Sequence, residues 1–319
     1  MKNYPHRSTE FYDAPVLDHQ SIDEFLEANL SDGIHTVWGN RFPIDFHVTL
    51  DIGKPLLVYL NGAIPRSQFP TLPVFHGLRV MGGLSASHVS FSDPSCYADK
   101  DLDIGWFAGA DQFPLQALMP RIIKKLITAS KAPCVIFCGP SAGGFASIAL
   151  ALHFPKSLAF VWNPQTDITK YSPPMVAKYA EACFGLDYET ALTKLPTLVD
   201  SNLAELYRKH YSGNTVLYLQ NLSDGHVRSH AQPFLQSFCE DIKLSAKRNE
   251  NRLIDKNIWY FSRNWGVGHV APPGTIIRQI LRIMIRDWRS WPTITNDGRM
   301  PKVLDQVFSS LDSKKDTST

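Results

Sequence analysis

Short apolar runs alternate with longer amphipathic stretches along most of this chain. Residues 54–62 (KPLLVYLNG), 134–138 (CVIFC), 157–165 (SLAFVWNPQ), 214–221 (NTVLYLQN) and 256–262 (KNIWYFS) have strand length and strand composition. Residues 45–52 (DFHVTLDI) and 86–94 (ASHVSFSDP) add two further strands. Helical patterns fall between them, over residues 112–130, 145–153, 174–208 and 230–248, and residues 275–288 (TIIRQILRIMIRDW) form a strongly periodic amphipathic helix. Pro120 lies inside the first of these helices, where a kink or a first turn would accommodate it. Fully apolar strands separated by helices predict an α/β fold, with a mostly parallel central sheet covered on both faces. The pattern divides the chain into an N-terminal extension (1–44), one α/β domain (45–290) with a small helical cap inserted at 174–208, and a C-terminal tail (291–319) ending in a polar segment. No internal repeat is visible.

Composition narrows the class. The 319 residues are 44% hydrophobic and 19% charged, which fits a folded globular protein. A net charge of +2 gives no sign of a nucleic-acid partner. The five cysteines (Cys96, Cys134, Cys138, Cys183, Cys239) show neither a disulfide framework nor paired zinc-ligand spacing, so no metal and no cofactor is expected. The first residues lack the apolar stretch of a signal peptide, and no run reaches the length of a membrane span, so a cytoplasmic protein is expected. The oligomeric state is not legible.

Ligands on parallel sheets gather at the carboxyl ends of the strands, so chemistry is sought there. Residues 134–144 (CVIFCGPSAGG) run from a strand through Gly-Pro-Ser-Ala-Gly-Gly into a helix. Gly139 and Gly143 bracket Ser141 as G-x-S-x-G. Such a corner holds the serine at a strained backbone angle above the sheet, with the Ala142 N–H facing the same space as an oxyanion donor. A tight glycine turn that merely contains a serine is the plainer alternative. No Lys follows the glycines as in a phosphate loop, and the turn comes too late in the chain for a dinucleotide fold.

A serine nucleophile needs a base, and the base an orienting acid. Among eleven histidines, His269 in the Gly- and Pro-rich segment NWGVGHVAPPG follows the last strand. Asp224 in YLQNLSDGHV follows the strand before it and is the favoured acid; Asp167 and Asp93 are its rivals. His226 is the reserve base or a substrate contact, and the His226/His230 pair lacks an evident third metal ligand. Gly62 and Ala63, after the strand at 54–62, are candidates for the second oxyanion donor. Trp106, Phe107, Trp162 and Trp265 lie near strand-end loops, where Trp106 and Trp265 in particular are placed to contact a sugar ring, although ordinary core packing accounts for each as well.

The order Ser141, Asp224, His269 resembles the α/β-hydrolase superfamily over roughly residues 45–290. The resemblance implies a serine mechanism with Ser141 as nucleophile, Asp224 as acid, His269 as base, and Ala142 with the Gly62/Ala63 loop as oxyanion donors. Pro140 inside the G-x-S-x-G motif, and Asn-Gly where many esterases have His-Gly, are departures that bear on acyl specificity. The segments SAGGF (141–145), NPQTD (163–167), and Asp224, His226, His230, Pro233 and Phe234 are similar to bacterial capsule- and accessory-secretion-associated acyl-transfer proteins. That likeness implies a small-molecule or glycan ester as substrate. The leading expectation is an ester hydrolase working through an acyl-enzyme on Ser141; an O-acetyltransferase acting on a glycan is the alternative. A non-catalytic binding or scaffold protein on the same fold is the reading of another class, and fluorophosphonate labelling separates it from the first two.

Overall fold

The computed structural model describes residues 4–290 apart from 40 and 212, together with 304 and 306–308. Ten strands form one sheet, and eight of them run in the same direction.

In chain order the elements are β1 (His6–Arg7), β2 (Val16–His19), α1 (Ile22–Glu27), β3 (Gly33–Trp38), β4 (Pro43–Thr49), β5 (Leu56–Leu60), β6 (Thr71–Leu72), α2 (Gly77–Met81) and β7 (Ser87–Phe91). Then come α3 (Leu115–Ser130), β8 (Val135–Pro140), α4 (Ser141–Ala151), β9 (Leu158–Trp162), α5 (Pro173–Phe184), α6 (Tyr188–Leu198) and α7 (Leu203–His210). The chain continues through β10 (Thr215–Asn221), α8 (Gln232–Gln236), β11 (Glu250–Asp255), β12 (Ile258–Arg263) and α9 (Gly274–Arg286). The sheet order is β11-β12-β10-β9-β8-β5-β7-β4-β3-β2, with β4 and β11 running against the rest; β1 and β6 pair separately.

Alternation along the central strands divides two cores. Leu56, Val58 and Leu60 of β5 face one side and Leu57 and Tyr59 the other. The first face is covered by α3, α4, α5 and α7; the second by α2 and α9, with Leu304, Val307 and Phe308. The stripe of Ile276, Ile277, Ile280, Leu281 and Met284 on α9 is buried, each side chain contributing roughly 1.5–3 kcal/mol. Pro120 falls in the second turn of α3 on a half-buried face, so the Gln116 carbonyl that loses its N–H partner lies near solvent.

Three features depart from the sequence pattern. The segment 1–44 supplies β2 and β3 to the main sheet, and a boundary at 44/45 cuts through β4. These strands escape an apolar search because their buried polar groups satisfy one another: His19 Nε2 lies 3.0 Å from His35 Nδ1, and Asp45 receives Arg7, Thr36 and Tyr97. Residues 230–248 are not one helix. After a π-turn at Val227–Ala231, α8 ends at Gln236, and the Gln232 side chain bonds back to Ile242 O and Leu244 N, holding the reversed chain. The antiparallel edge strand β11 follows, where none was expected. The polar C-terminal tail lies almost entirely outside the described residues.

The chain order turns back at β5, which has β7 on one side and β8 on the other. The loops after β5 and β8 therefore meet at the point where such sheets place their ligands. Among the described residues no helix is long and apolar enough to cross a membrane.

Candidate active site

Ser141 is the first residue of α4, directly after β8, with φ +53° and little exposure. A non-glycine residue in this region costs of order 1–3 kcal/mol unless its surroundings enforce it. Close packing enforces it here. A Cβ on Gly139 would stand 2.3 Å from Leu60 O, and one on Gly143 2.0 Å from the same oxygen. The corner thus lies tightly against the end of β5. Gly62 belongs to this contact, its would-be Cβ 3.6 Å from Ser141 Cβ, whereas Ala63 is exposed. Among the described residues the N–H groups of Gly62 and Ala63 have no partner, and that of Ala142 opens the first turn of α4, where N–H groups lack helical acceptors.

The Ser141 hydroxyl accepts a hydrogen bond from Gln165 Nε2 at 2.9 Å, and Gln165 N donates to Ser141 O at 3.2 Å. Gln165 Oε1 accepts in turn from Trp106 Nε1–H. Sequence reasoning missed Gln165: a polar residue after an apolar strand is unremarkable until the fold sets it beside the serine.

Asp224 follows β10 and is buried. Its Oδ2 lies 2.6 Å from His269 Nδ1, while Oδ1 accepts the backbone N–H of His226 at 3.0 Å. Burial pushes this carboxyl up, but the His269 hydrogen bond, the charge of His226 and the His226 N–H together outweigh burial and leave it below its usual value. With Nδ1–H donated to Asp224, the His269 lone pair is at Nε2, on a ring 42% exposed. Asn221 fixes the His269 loop by donating to Gly266 O and Gly268 O and accepting from Trp265 N. Asn163, itself at φ +45°, ties β9 to that loop through Val270 O. Among the described contacts Ser141 and His269 form no direct hydrogen bond; the serine oxygen accepts from Gln165, which leaves its own O–H free.

The rival acids have other work. Asp167 accepts from Thr169 N at 2.9 Å and Asn202 Nδ2 at 3.0 Å, and Asp93 from the N–H groups of Ser95 and Phe107. His226 sits beside His269, ring centroids 4.5 Å apart, and its Nδ1–H donates to Asn163 O at 3.2 Å. Burial pushes its imidazole below the ordinary value, with Asp224 opposing.

Ligand atoms of Asp224, His226 and His269 all lie within 4.8 Å of one another. A 2.6 Å carboxylate–imidazole contact is a hydrogen bond that leaves no room for an ion between the two, and a carbonyl facing His226 Nδ1 demands a proton there.

Trp106, Phe107 and Trp162 are buried and present no face to a sugar; only Trp265 of this aromatic set is partly exposed. The expectation that Trp106 contacts substrate is corrected on this ground: its ring is fully buried between Tyr171 and Tyr179 and its N–H is engaged.

His230 is buried, its Nδ1 accepting from Thr166 N at 3.2 Å. Burial, then the neighbouring His226, push its pKa from 6.5 to about 3. The unfolded chain takes up a proton near pH 6.5 that the folded chain refuses until about pH 3. Stability should therefore be unaffected by this group above pH 6.5 and fall with pH below it, by about 1.4 kcal/mol per unit. His230→Asn keeps an acceptor for Thr166 and should flatten the decline of Tm between pH 6.5 and 4.5; an unchanged slope would refute the assignment.

No protein-family model matches the chain, and a comparison with curated proteins finds no match. Solved structures do match. The capsule O-acetyltransferase of Neisseria meningitidis serogroup A superposes with a TM-score of 0.56 at 12% identity, over 82% of this chain and 97% of that one. A histidine-to-alanine variant of that enzyme in complex with CoA gives 0.52 at 11%, over 84% and 97%. With its mostly parallel sheet, flanking helices and strand-end serine corner, the chain has an α/β-hydrolase-like fold, shared at low identity with a bacterial capsule O-acetyltransferase.

Proposed function

We propose that the protein is a serine-dependent O-acyltransferase that moves an acetyl-type group from an activated donor to a glycan hydroxyl. The observation that carries this reading is that a φ +53° serine at a strand–helix corner and a 2.6 Å Asp224–His269 pair both follow the carboxyl ends of parallel strands of one sheet. The shared fold with a capsule O-acetyltransferase supports transfer to a sugar over hydrolysis, and the CoA bound to a variant of that enzyme supports an acyl thioester as the donor class proposed here.

In this mechanism Ser141 Oγ attacks the donor carbonyl as His269 Nε2 takes its proton. The N–H groups of Ala142 and of the Gly62/Ala63 loop stabilise the oxyanion. Collapse expels the donor's thiolate, which receives the proton from His269. The acceptor hydroxyl then loses its proton to His269 and attacks the acyl-serine, and Ser141 leaves with that proton. His269 closes onto Oγ when substrate binds; catalytic contacts often tighten only in the complex. Helices α5–α7, between β9 and β10, are the segment proposed to set acceptor choice.

Hydrolysis is the second reading, favoured by the half-exposed His269 ring, which lets water compete for the acyl-enzyme. Turnover of p-nitrophenyl acetate and acetyl-CoA, with and without bacterial capsular and cell-wall oligosaccharides, tests the choice. Acetylated sugar should form at the expense of free acetate, and Ser141→Ala should form neither. Quantitative release of acetate at every acceptor concentration would make the protein an esterase. Unchanged turnover by Ser141→Ala would remove both readings.

A further inference from the structure

We infer that Gln165 is a catalytic residue that sets the proton of the Ser141 hydroxyl, and that Trp106 is the positioning residue that sets Gln165. This deepens the proposed serine mechanism and rests on Ser141 being its nucleophile.

The amide of Gln165 has two faces with opposite consequences. With Nε2 toward Ser141, the amide donates to Oγ, and the serine keeps its own O–H free for a base. With Oε1 toward Ser141, the serine would donate its proton to the amide and be held in an unproductive orientation. An indole N–H is a donor and never an acceptor, so Trp106 Nε1–H requires Oε1 on its side of the amide. That leaves Nε2 at Ser141 Oγ, 2.9 Å away. Gln165 is fully buried and its backbone N–H also holds Ser141 O, so the side chain has no solvent alternative.

Trp106 is held as firmly. It is fully buried, at φ +54°, with Tyr171 and Tyr179 packed edge-on against it. The next residue, Phe107, also at φ +54°, donates its N–H to the buried Asp93 carboxylate at 3.0 Å. The Tyr179 hydroxyl donates to Gly109 O, pinning α5 to the same loop. Strained backbone at Trp106 and Ser141 thus stands at the two ends of the contact that runs through Gln165, with strained Phe107 next to Trp106.

The test is the rate of Ser141 labelling by a fluorophosphonate, together with kcat and KM for p-nitrophenyl acetate, in folded variants with wild-type circular dichroism. Gln165→Leu removes the donor and should lower the labelling rate and kcat by about 10- to 100-fold with KM nearly unchanged. Gln165→Glu keeps an acceptor for Trp106 but puts a carboxylate oxygen against Oγ, where it captures the serine proton, so this variant should be slower than Gln165→Leu. Trp106→Phe frees the amide to turn and should give a smaller loss. Added to Gln165→Leu, it should cost nothing further, because it acts through the amide. A merely structural role predicts loss of thermal stability without this order of rates. Labelling of Gln165→Leu and Gln165→Glu at the wild-type rate would overturn the inference, as would full additivity of the Trp106 and Gln165 effects. Equal labelling of wild type and Ser141→Ala would instead overturn the serine mechanism itself.

Discussion

Gly143→Ala is expected to abolish the native corner and lower the thermal midpoint far more than any other single-methyl addition considered. The added Cβ would lie 2.0 Å from Leu60 O, 2.7 Å from Asn61 O and 2.7 Å from Leu60 C. Each of these is backbone of β5 or the residue after it, so no flexible side chain can swing away. Relief requires the start of α4 to move off the sheet, carrying Ser141 and Ala142 from Gly62. Overpacking at this level costs about 3 kcal/mol or more, and any protein that folds should have lost activity. Gly274→Ala at the start of α9 is the control. Nothing lies within 4 Å of its Cβ position, and its effect should be within about 0.5 kcal/mol. Thermal and denaturant unfolding of the two variants side by side checks the expectation; wild-type stability in Gly143→Ala would refute the packing account.

The contrast between these glycines shows what a sequence carries about a site. The G-x-S-x-G spacing was readable because steric necessity at Gly139 and Gly143 is local: strand, corner and helix are contiguous in the chain. Asp224 and His269 were readable for a related reason, since each follows an apolar strand at the end where such sheets place ligands. Asp224 is preferred over Asp167 and Asp93 in the sequence because it follows the strand before the His269 segment, where a carboxylate can accept the other ring N–H of that histidine. Those two carboxylates are occupied with turn N–H groups, whereas Asp224 turns one oxygen to an imidazole.

What escaped reading is polar and paired across the fold. Gln165 acquires meaning only when Ser141 and Trp106, 24 and 59 residues away, are brought to its two ends. The strands β2 and β3 are broken up in an apolar pattern by His19, His35 and Thr36, residues that are buried because they find polar partners. In the edge strand β11, exposed Asn251 and Leu253 alternate with buried Glu250 and half-buried Arg252 and Ile254, as an edge permits, and the segment reads as a polar loop. Trp106 was read from its proximity to strand-end loops, but proximity does not say which way a ring faces.

The second large effect concerns Ser141 itself. In the proposed mechanism an alanine there retains the corner, the Ala142 N–H and the Asp224–His269 pair, so binding and oxyanion stabilisation should persist while covalent transfer is lost. Removal of a serine nucleophile with the rest of its machinery intact costs about 10⁴-fold or more in kcat. Ser141→Ala should therefore bind donor with near-wild-type affinity and turn it over at a rate close to background. The decisive measurement is peptide mass spectrometry of wild-type protein quenched in acid during turnover of an acetyl donor. One acetyl group should appear on the peptide containing Ser141, and should be absent in Ser141→Ala. Turnover by the wild-type protein with that peptide unmodified, and by Ser141→Ala at a comparable rate, would contradict covalent transfer through this serine.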